Sequence, residues 1–467
     1  MSTVKDAVRP LIHKFYQEGL YIVMDVNSGI VHLTDKLTYE LLDVYDGSNR
    51  EEALAALAKK YPEEDIRTAM DEVDELIAQE FLYAPMDDSF TVALEERPIV
   101  KALCLNIAHD CNLRCKYCFA GQGGYGKWRE LMSFDVARRA VDFLIAHSGP
   151  RQHCEIDFFG GEPLMNFHTV QQTVEYIRAQ EKKHGKIFKL TLTTNGMLLD
   201  DKKVQYFNDN HISLVLSLDG REAVHNDMRP GVRGEGTYRQ IRDNLSYAVT
   251  HRNGEEYYVR GTFTSKNLDF TTDVLDMVDQ GFDELSMEPV VGEDDEFAIR
   301  KEHLPRIFAE YEKLARAYLE RYREGRPFTF FHFNMDLYRG PCIQKRLRGC
   351  GAGHEYMAVV PNGDIYPCHQ FVGRDGYVIG NVKTGLRDMD SPREFRENHV
   401  LRKEACKDCW AKFYCSGGCH ANNETFAGDI HVPYEVSCEI QKKRIECALM
   451  IQAKLALMER EKEAAEA

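Results

Sequence analysis

Three cysteines in the first third of the chain have a spacing that suits a metal cluster. Cys111, Cys115 and Cys118 form a C-x3-C-x2-C pattern within the stretch HDCNLRCKYCF. Three thiolates can bind three irons of a cubane iron–sulfur cluster and leave the fourth iron open to chelate a small molecule and pass it an electron. The same cysteines with His109 as a fourth ligand would suit structural zinc, so the spacing alone leaves both alternatives open.

A second, larger group of cysteines lies toward the carboxyl end. Its members are Cys342, Cys350, Cys368, Cys406, Cys409, Cys415, Cys419 and Cys438. Residues 406 to 419 contain the pattern C-x2-C-x5-C-x3-C, among Gly, Pro and aromatic residues with little helical periodicity. Metal organises such a segment more readily than an apolar core does. Iron–sulfur clusters and two zinc-ribbon sites both agree with these spacings.

The composition favours metal or redox chemistry over disulfides as the use of these cysteines. The chain has 467 residues, 14 cysteines and a formal net charge of −16. Its first ten residues lack the apolar region of a signal peptide, and no apolar run is long enough to span a membrane. We therefore expect a cytoplasmic protein, in which structural disulfides are disfavoured. The negative charge argues against nucleic acid or a membrane as partner.

Six strand-and-helix units are predicted between residues 100 and 310. Strands are expected at 103–107, 155–159, 189–194, 214–218, 258–264 and 284–288, with amphipathic segments between most of them. Repeated βα units mean a parallel sheet, open or closed into a partial barrel. Polar motifs follow these strands, namely GGEP at 160–163, TTNG at 193–196, SLDG at 217–220 and Glu288. Barrel enzymes place their chemistry at the carboxyl ends of strands, so the cysteines and motifs are expected on one rim.

A smaller α+β unit is predicted over residues 1–95. Two apolar runs, 21–24 and 30–33, flank Asn27-Ser28-Gly29 as in a β-hairpin. Helical patterns follow at 38–45, 51–61 and 62–80, and 81–83 suggests a final strand. The acidic, proline-bounded stretch 85–98 is predicted to be a linker. At the other end of the chain, a helix is predicted from about Glu439 to the charged terminus.

The combination of motifs resembles a known superfamily. C-x3-C-x2-C with Tyr117 and Phe119 beside the last cysteine, followed by GGEP, is similar to the radical S-adenosylmethionine (SAM) enzymes. The resemblance implies a partial (β/α)6 barrel of TIM type over residues 96–325. It implies that Cys111, Cys115 and Cys118 bind a 4Fe–4S cluster whose open iron binds SAM. One-electron reduction would then split SAM into methionine and a 5′-deoxyadenosyl radical that abstracts a substrate hydrogen.

The same resemblance implies which residues surround SAM. Gly160, Gly161 and Glu162 would meet its amino group, while Ser217 and Arg229 would contact its ribose and carboxylate. The other residues expected at the cofactor are Tyr117, Phe119, Pro163, Thr194, Asn195 and Glu288. Asp219 could bond the adenosine or cap the next helix, with capping favoured. Glu288 could equally face substrate or pair with Arg260.

The C-terminal cysteines resemble the SPASM extension of peptide-modifying radical SAM enzymes, predicted here over residues 326–447 and followed by a charged helix end at 448–467. In that family the extension holds two auxiliary 4Fe–4S clusters. The resemblance assigns Cys342, Cys350, Cys368 and Cys419 to auxiliary cluster I, and Cys406, Cys409, Cys415 and Cys438 to auxiliary cluster II. Three clusters are expected in all. Cys104, Cys154 and Cys447 have no assigned role and are expected to pack as small apolar residues.

The whole chain looks like the maturases of the six-cysteine-in-forty-five (SCIFF) peptides, now grouped with ranthipeptides. The stretches LNIAHDCNLRCKYCFA, DFFGGEPLMNF and CWAKFYCSGGCHANN carry this resemblance. It implies thioether crosslinks within a ribosomally made, Cys-rich precursor peptide. An electron donor such as flavodoxin or ferredoxin is expected as a further partner. Residues 1–95 resemble a winged-helix-like, PqqD-type element, to which a leader peptide could add a strand near 21–24; an unrelated adaptor is the alternative.

His369 distinguishes this sequence from the sulfatase-maturing enzymes, which have a similar architecture. Sulfatase-maturing enzymes place an Asp base directly after the cysteine of YPC, and this chain has His369 there. His369 is therefore a candidate catalytic base, or it packs beside a cluster. The alternative functions are formylglycine-type dehydrogenation, carbon–carbon crosslinking of a peptide, and a non-catalytic zinc or electron-transfer protein.

Overall fold

The computed structural model describes residues 11–86, 99–126, 129–292, 294, 296–335 and 347–466, which form a three-stranded and an eleven-stranded sheet with their helices. Cys342 and most of the predicted linker at 85–98 lie outside these residues. No helix within the described ranges is long and apolar enough to cross a membrane. The cysteines in these ranges are all free thiols.

The N-terminal unit is an antiparallel sheet followed by helices. Its strands are β1 (Ile12–Gln17), β2 (Leu20–Asp25) and β3 (Val31–Thr34), and its helices are α1 (Lys36–Leu41), α2 (Arg50–Leu57) and α3 (Glu63–Ala78). Alternation along β2 turns Val23 into the core with these helices and Ile22 and Met24 toward the rest of the protein. The predicted hairpin is confirmed as β2 and β3.

Two expectations for this unit are wrong. β2 contains residues 21–24 and is the central strand, paired with β1 and β3, so a leader peptide cannot add a strand there. Residues 81–83 form bends and no strand. Glu80 and Tyr83 have φ values of 58° and 52°, and these left-handed conformations interrupt an extended segment.

The six predicted parallel strands are confirmed. They are β4 (Ala102–Ala108), β5 (His153–Gly160), β6 (Ile187–Thr194), β7 (Ile212–Ser217), β8 (Tyr257–Phe263) and β9 (Glu284–Pro289), arranged side by side in chain order. The helices of this region are α4 (Phe134–His147), α5 (Phe167–His184), α6 (Asp201–Asp209), α7 (Glu222–Met228), α8 (Tyr238–Thr250), α9 (Phe270–Asp279) and α10 (Leu304–Arg323). Leu190 and Leu192 on β6 are fully buried, whereas Thr191 and Thr193 alternate with them and are only partly buried. This order and alternation are typical of a partial barrel.

Strands beyond the predicted six extend the sheet at both edges. β10 (Thr329–Phe330) pairs in parallel with β9, and β11 (Tyr356–Val359) pairs in parallel with β4. Next to β11 come β12 (Asp364–Tyr366), β13 (Gly380–Asn381) and β14 (Gly385–Leu386), which are antiparallel. Pairing of β11 with β4 brings the C-terminal cysteine region against the strand that leads into the first cysteine motif.

The described residues 347–466 of the C-terminal region contain four short α-helices and one long one. They are α11 (Asp390–Glu397), α12 (Glu404–Lys407), α13 (Lys412–Cys415), α14 (His420–Ala427) and α15 (Glu435–Glu466). α15 begins at Glu435, ahead of the predicted Glu439, and therefore includes Cys438. It packs against α10. It also contacts the N-terminal sheet, because His13 on β1 hydrogen-bonds to Glu446 at 3.1 Å. The His13 ring stacks on that of Trp410 with 3.6 Å between the ring centroids.

Candidate active site

The first cysteine motif occupies the loop after β4, at the carboxyl end of the sheet. Gly161 N–H donates to the Ala108 carbonyl at 2.7 Å, and Glu162 N–H donates to the Asp110 carbonyl at 2.9 Å. A Cβ on Gly160 would lie 2.4 Å from the Ala108 oxygen, and one on Gly161 would lie 2.2 Å from the Asp110 oxygen. The glycines of GGEP are therefore required for close packing against the backbone that leads into the cysteine loop.

The Glu162 carboxylate joins two of the predicted motifs, GGEP and TTNG. Oε1 accepts from Leu164 N–H at 3.0 Å and from the Thr194 hydroxyl at 2.8 Å, while Oε2 accepts from Asn195 N–H at 2.8 Å. The side chain is fully buried, and burial raises its pKa to about 7. This carboxylate holds the TTNG turn against GGEP, and its contact with the SAM amino group stays a prediction.

Replacing Glu162 by Gln is expected to lower the free energy of unfolding by about 1–3 kcal/mol, because one of the three donors would then face an NH2 group. The matched control is Glu222→Gln, an exposed carboxylate on α7, where the change is expected to stay within about 0.5 kcal/mol. Denaturant titration followed by circular dichroism measures both. Equal effects of the two substitutions would show that the three hydrogen bonds contribute nothing specific.

Asn195 connects the end of β6 with the first cysteine. Its Nδ2 donates to Asn112 Oδ1 at 2.8 Å and lies 3.6 Å from Cys111 Sγ, which also accepts from Leu113 N–H at 3.4 Å. Burial, together with the Glu162 charge, raises the pKa of Cys111 to about 12. Thiols in this setting ionise readily only when a bound cation compensates the charge, as a metal cluster does.

A polar network lies beside the second cysteine. The Tyr117 hydroxyl donates to Asp219 Oδ2 at 2.6 Å, and Thr262 N–H donates to Asp219 Oδ1 at 3.0 Å. The expectation that Asp219 caps the next helix is wrong, because Arg221 occupies the N-cap of α7. Asp219 instead faces inward and fixes the ring of Tyr117. The SLDG motif alone does not indicate this contact.

Arg229 provides a test of whether this site fits an anionic ligand. Its Nε lies 3.8 Å from Asp219 Oδ2, beyond hydrogen-bond reach, and its Nε and Nη1 are buried without a hydrogen-bond acceptor among the described residues. Burial raises the pKa of Cys115, and the neighbouring Arg229 charge acts against that increase. A buried guanidinium with unused donors next to thiols fits a site that takes up a negatively charged group.

The seven described C-terminal cysteines form two sets. Cysteine set I consists of Cys350, Cys368 and Cys419, and cysteine set II consists of Cys406, Cys409, Cys415 and Cys438. Burial raises the pKa of Cys368, and the thiols of Cys419 and Cys350 raise it further. Burial raises the pKa of Cys438 to about 12, with added effects of Cys415, Cys406 and Cys409. This grouping agrees with the interleaved assignment. In that assignment Cys419 belongs to set I, although the other three cysteines of the 406–419 pattern belong to set II.

Backbone conformation directs N–H groups toward these thiols. Ser416, Gly417 and Gly418 all have left-handed φ values, of 61°, 81° and 76°. Hydrogen bonds from Gly418 and Gly417 reach Cys415, and those from Asn422 and Ala421 reach Cys419. Donors to sulfur are a common feature of iron–sulfur sites. Within the described ranges no three His, Cys, Asp or Glu side chains are placed to hold a single metal ion.

Two family models match the regions that hold these cysteines. Residues 105–253 match the radical SAM superfamily, and residues 350–410 match SPASM, an iron–sulfur cluster-binding domain.

The chain therefore carries a radical SAM domain and a SPASM domain. SAM and 4Fe–4S clusters are accordingly its cofactors.

Similar proteins include maturases that act on proteins or peptides. The cysteine-type anaerobic sulfatase-maturating enzyme of Clostridium novyi (strain NT) is 24% identical over 340 residues, which cover 68% of this chain and 86% of that protein. The radical SAM cyclopropyl synthase TigE of Paramaledivibacter caminithermalis (strain DSM 15212 / CIP 107654 / DViRD3) is 20% identical over 370 residues, which cover 73% of this chain and 72% of that protein.

Solved structures show the same fold. Native anSMEcpe with bound AdoMet and Cp18Cys peptide matches with a TM-score of 0.63 at 20% identity, over 76% of this chain and 98% of that chain. Streptococcus suis SuiB bound to S-adenosylmethionine matches with a TM-score of 0.50 at 16% identity, over 94% of this chain and 100% of that chain.

His369 lies in an aromatic enclosure between the radical SAM and SPASM domains. Its Nδ1 lies 2.7 Å from the Tyr356 hydroxyl, and its ring is 5.0 Å from that of Phe159 and 5.7 Å from that of Phe119. Burial, with the Arg260 charge, lowers the pKa of His369 to about 4. The imidazole is therefore neutral near pH 7, which leaves one ring nitrogen able to accept a proton.

Glu288 pairs with residues other than the one considered from the sequence. It lies 2.9 Å from His332 Nε2 and 3.3 Å from Arg444 Nη2. Interactions with His332 and Arg444, and the charge of Arg260, keep its pKa well below the usual range despite burial, which alone would raise it. Arg260 lies opposite Ser286 in the β8–β9 register, and its charge acts on Glu288, although the ion pairs of Glu288 among the described residues are those with His332 and Arg444. Arg444 comes from α15, which closes this side of the radical SAM domain.

The other predicted cofactor residues occupy the same rim. Pro163 begins a short 3-10 helix after GGEP and is buried, and Ser217 is the half-buried last residue of β7. Phe119 is half exposed.

A cavity of about 360 Å³ runs between the ends of β8 and β9 and the SPASM domain. It is lined in part by Arg260, Glu288, Arg444, Cys415, Cys419 and Cys438.

Three residues of the site escaped sequence reasoning. Tyr356 sits in a short strand, Arg444 in a long amphipathic helix and Lys403 in a basic stretch before the second cysteine pattern. Each is distant in sequence from at least one of the groups it contacts, and none belongs to a recognisable motif. Only alternation along β11 could have pointed to Tyr356, since it marks the side chains that share a face of the strand.

Proposed function

We propose that this protein forms thioether crosslinks within a ribosomally made, Cys-rich precursor peptide of the SCIFF type. The observation that carries the proposal is the cavity between the radical SAM and SPASM domains. Cys419 of set I lines it on one side, and Arg260 and Glu288 from the ends of the barrel strands line it on the other. A peptide bound there would lie between the carboxyl ends of β8 and β9 and Cys419 of set I.

The chemistry needs a hydrogen acceptor, a sulfur site and an electron acceptor. Bound SAM and reduced clusters would supply a 5′-deoxyadenosyl radical for the first of these, and set I would hold the cluster at which the substrate sulfur bonds. Joining a thiol to a C–H carbon removes one hydrogen atom from carbon, one proton from sulfur and one electron, and the cluster held by set I would take up that electron. The fourth position of set I would belong either to Cys342, as the resemblance implies, or to the substrate sulfur.

His369 is proposed as the group that receives the substrate proton. It is neutral near pH 7, adjoins Cys368 of set I in sequence and faces the same aromatic enclosure as Phe119. Its low pKa makes it a weak base, which suits a thiol already acidified by contact with iron. The substitution His369→Phe is therefore expected to reduce crosslinking by roughly 10²–10⁴-fold while leaving cleavage of SAM intact.

The N-terminal unit is proposed to bind the leader of the precursor. β3 replaces 21–24 as the site of strand addition, because within the described residues its outer edge carries no paired strand. β1 at the opposite edge already contacts Trp410 and Glu446. Leu33 on β3 is 44% exposed and offers an apolar contact to an added strand. A flavodoxin or ferredoxin would supply electrons; no nucleic acid or membrane is proposed as a partner.

The test is co-expression with a short Cys-rich precursor peptide that carries its leader. We expect a product that has lost two hydrogens per crosslink and one alkylatable thiol per crosslink, measured by mass spectrometry before and after alkylation. A peptide without its leader should stay unmodified. A product lighter by two hydrogens with every thiol still alkylatable would indicate carbon–carbon crosslinking and overturn the thioether proposal.

Formylglycine formation is the second candidate, because sulfatase-maturating enzymes are similar over most of this chain. It predicts a different product, in which a cysteine loses its sulfur and becomes an aldehyde. Reaction of the product with a hydrazide reagent detects that aldehyde. His369 in the position of the Asp base of those enzymes disfavours this reaction here.

A further inference from the structure

A lysine is buried between the two cysteine sets of the SPASM domain. Lys403 precedes α12 and has a relative exposure of 1%. Its Nζ donates to the Gly417 carbonyl at 2.8 Å, between Cys415 of set II and Cys419 of set I. A fully buried ammonium is rare unless negative charge compensates it.

Its electrostatic neighbours are thiols from both sets. Burial lowers the pKa of Lys403, whereas the thiolates of Cys406, Cys415, Cys438 and Cys419 act in the opposite direction. The influence is reciprocal, since Lys403 also opposes the increase in the pKa of thiols in both sets, namely Cys350, Cys419, Cys406 and Cys415. Lys403 is therefore a charge shared by set I and set II.

The backbone around Gly417 leaves room for this side chain. Gly417 has a φ of 81°, and a Cβ there would lie 3.2 Å from Lys403 Cδ and 3.3 Å from Nζ. A larger residue at 417 would be strained and would crowd the lysine. The left-handed turn that directs N–H groups toward Cys415 thus also accommodates Lys403.

We propose that Lys403 is a positioning residue whose buried positive charge raises the reduction potentials of both auxiliary clusters. The proposal rests on the assignment of sets I and II to those clusters. The couple concerned takes up one electron and no proton, so reduction adds one negative charge to the cluster. A fixed cation in a water-poor region stabilises that added charge more than it would in solvent. Both clusters would thereby accept electrons more easily.

The test is a potentiometric titration followed by electron paramagnetic resonance. The full chain with Cys111, Cys115 and Cys118 replaced by Ala is used, so that only auxiliary clusters contribute, and iron is counted after reconstitution. At a fixed applied potential, Lys403→Met is expected to lower the ratio of reduced to oxidised cluster at least tenfold for both clusters. Tenfold corresponds to about 59 mV for a one-electron couple.

Lys412→Met is the matched control. Lys412 is also buried, with 6% exposure, and its Nζ donates to the Lys407 carbonyl at 2.9 Å. Burial lowers its pKa, and the groups that act against this decrease are Asp408 and Cys409. Lys412 therefore interacts with one thiol of set II and none of set I. A change of less than about threefold in the reduced-to-oxidised ratio is expected for it.

A third variant, Lys403→Arg, separates charge from packing. It is expected to retain both iron content and potentials. Should Lys403→Met lose iron, restoration by Lys403→Arg would support the proposal, and loss of iron in both would overturn it in favour of packing. Full iron content with unchanged potentials in Lys403→Met would also overturn it. A parent chain that binds no iron would overturn the cluster assignment itself.

Discussion

Replacing Cys115 by Ala is expected to abolish reductive cleavage of SAM. Two thiolates do not hold a cubane, and the loss would leave the buried Arg229 beside an apolar methyl group. Second-sphere changes around metal sites already cost 10–100-fold, so removal of a ligand should reduce activity by more than about 100-fold. Release of 5′-deoxyadenosine after anaerobic addition of dithionite and SAM measures the effect, with chromatography for detection.

Cys154→Ala is the matched control for that experiment. Cys154 is fully buried on β5 and belongs to none of the three cysteine groups. Its variant is expected to keep its iron and to release 5′-deoxyadenosine at a rate near that of the native protein. Survival of more than a tenth of the native rate in Cys115→Ala would disprove the assignment of the first cysteine motif to the SAM-binding cluster.

Replacing Cys419 by Ala is expected to remove one auxiliary cluster and to stop peptide modification. Iron content should fall by about four atoms per chain, the content of one cubane. Cleavage of SAM without peptide should continue, because the first cysteine motif is untouched. Iron analysis and mass spectrometry of the co-expressed peptide give the two results.

Paired substitutions decide which cysteines share a cluster. Adding Cys350→Ala to Cys419→Ala should cost no further iron, since both belong to set I. Adding Cys438→Ala instead should bring the loss to about eight atoms, because a second cubane is removed. Cys447→Ala serves as control, because Cys447 is buried on α15 and its hydrogen-bond partner among the described residues is Gln17. Further iron loss on combining Cys350 and Cys419 would contradict the proposed sets.

The electrostatics of the site depend on residues from several parts of the chain. Asp219 fixes Tyr117 from the end of β7, Glu162 holds the turn after β6, and Arg444 reaches Glu288 from the last helix. Lys403 interacts with thiols of both set I and set II. Each of these groups is charged and largely buried, so each is stable only in the presence of its partner.

The sequence by itself determined the parallel strands, the position of the first cysteine motif and the presence of a second cysteine region. Strand periodicity and cysteine spacing are local properties. They can be read from a few neighbouring residues without knowledge of the tertiary structure. The hairpin of β2 and β3 was predictable for the same reason.

The tertiary structure alone decided which strand is central, which cysteines converge and which charges meet. β1 was absent from the sequence prediction, and its pairing moved the free edge from 21–24 to β3. The structure also placed Cys419 with Cys350 and Cys368, Lys403 between both sets and Glu288 beside Arg444. These contacts join residues far apart in the chain, and their energy depends on burial and distance, which no local pattern encodes.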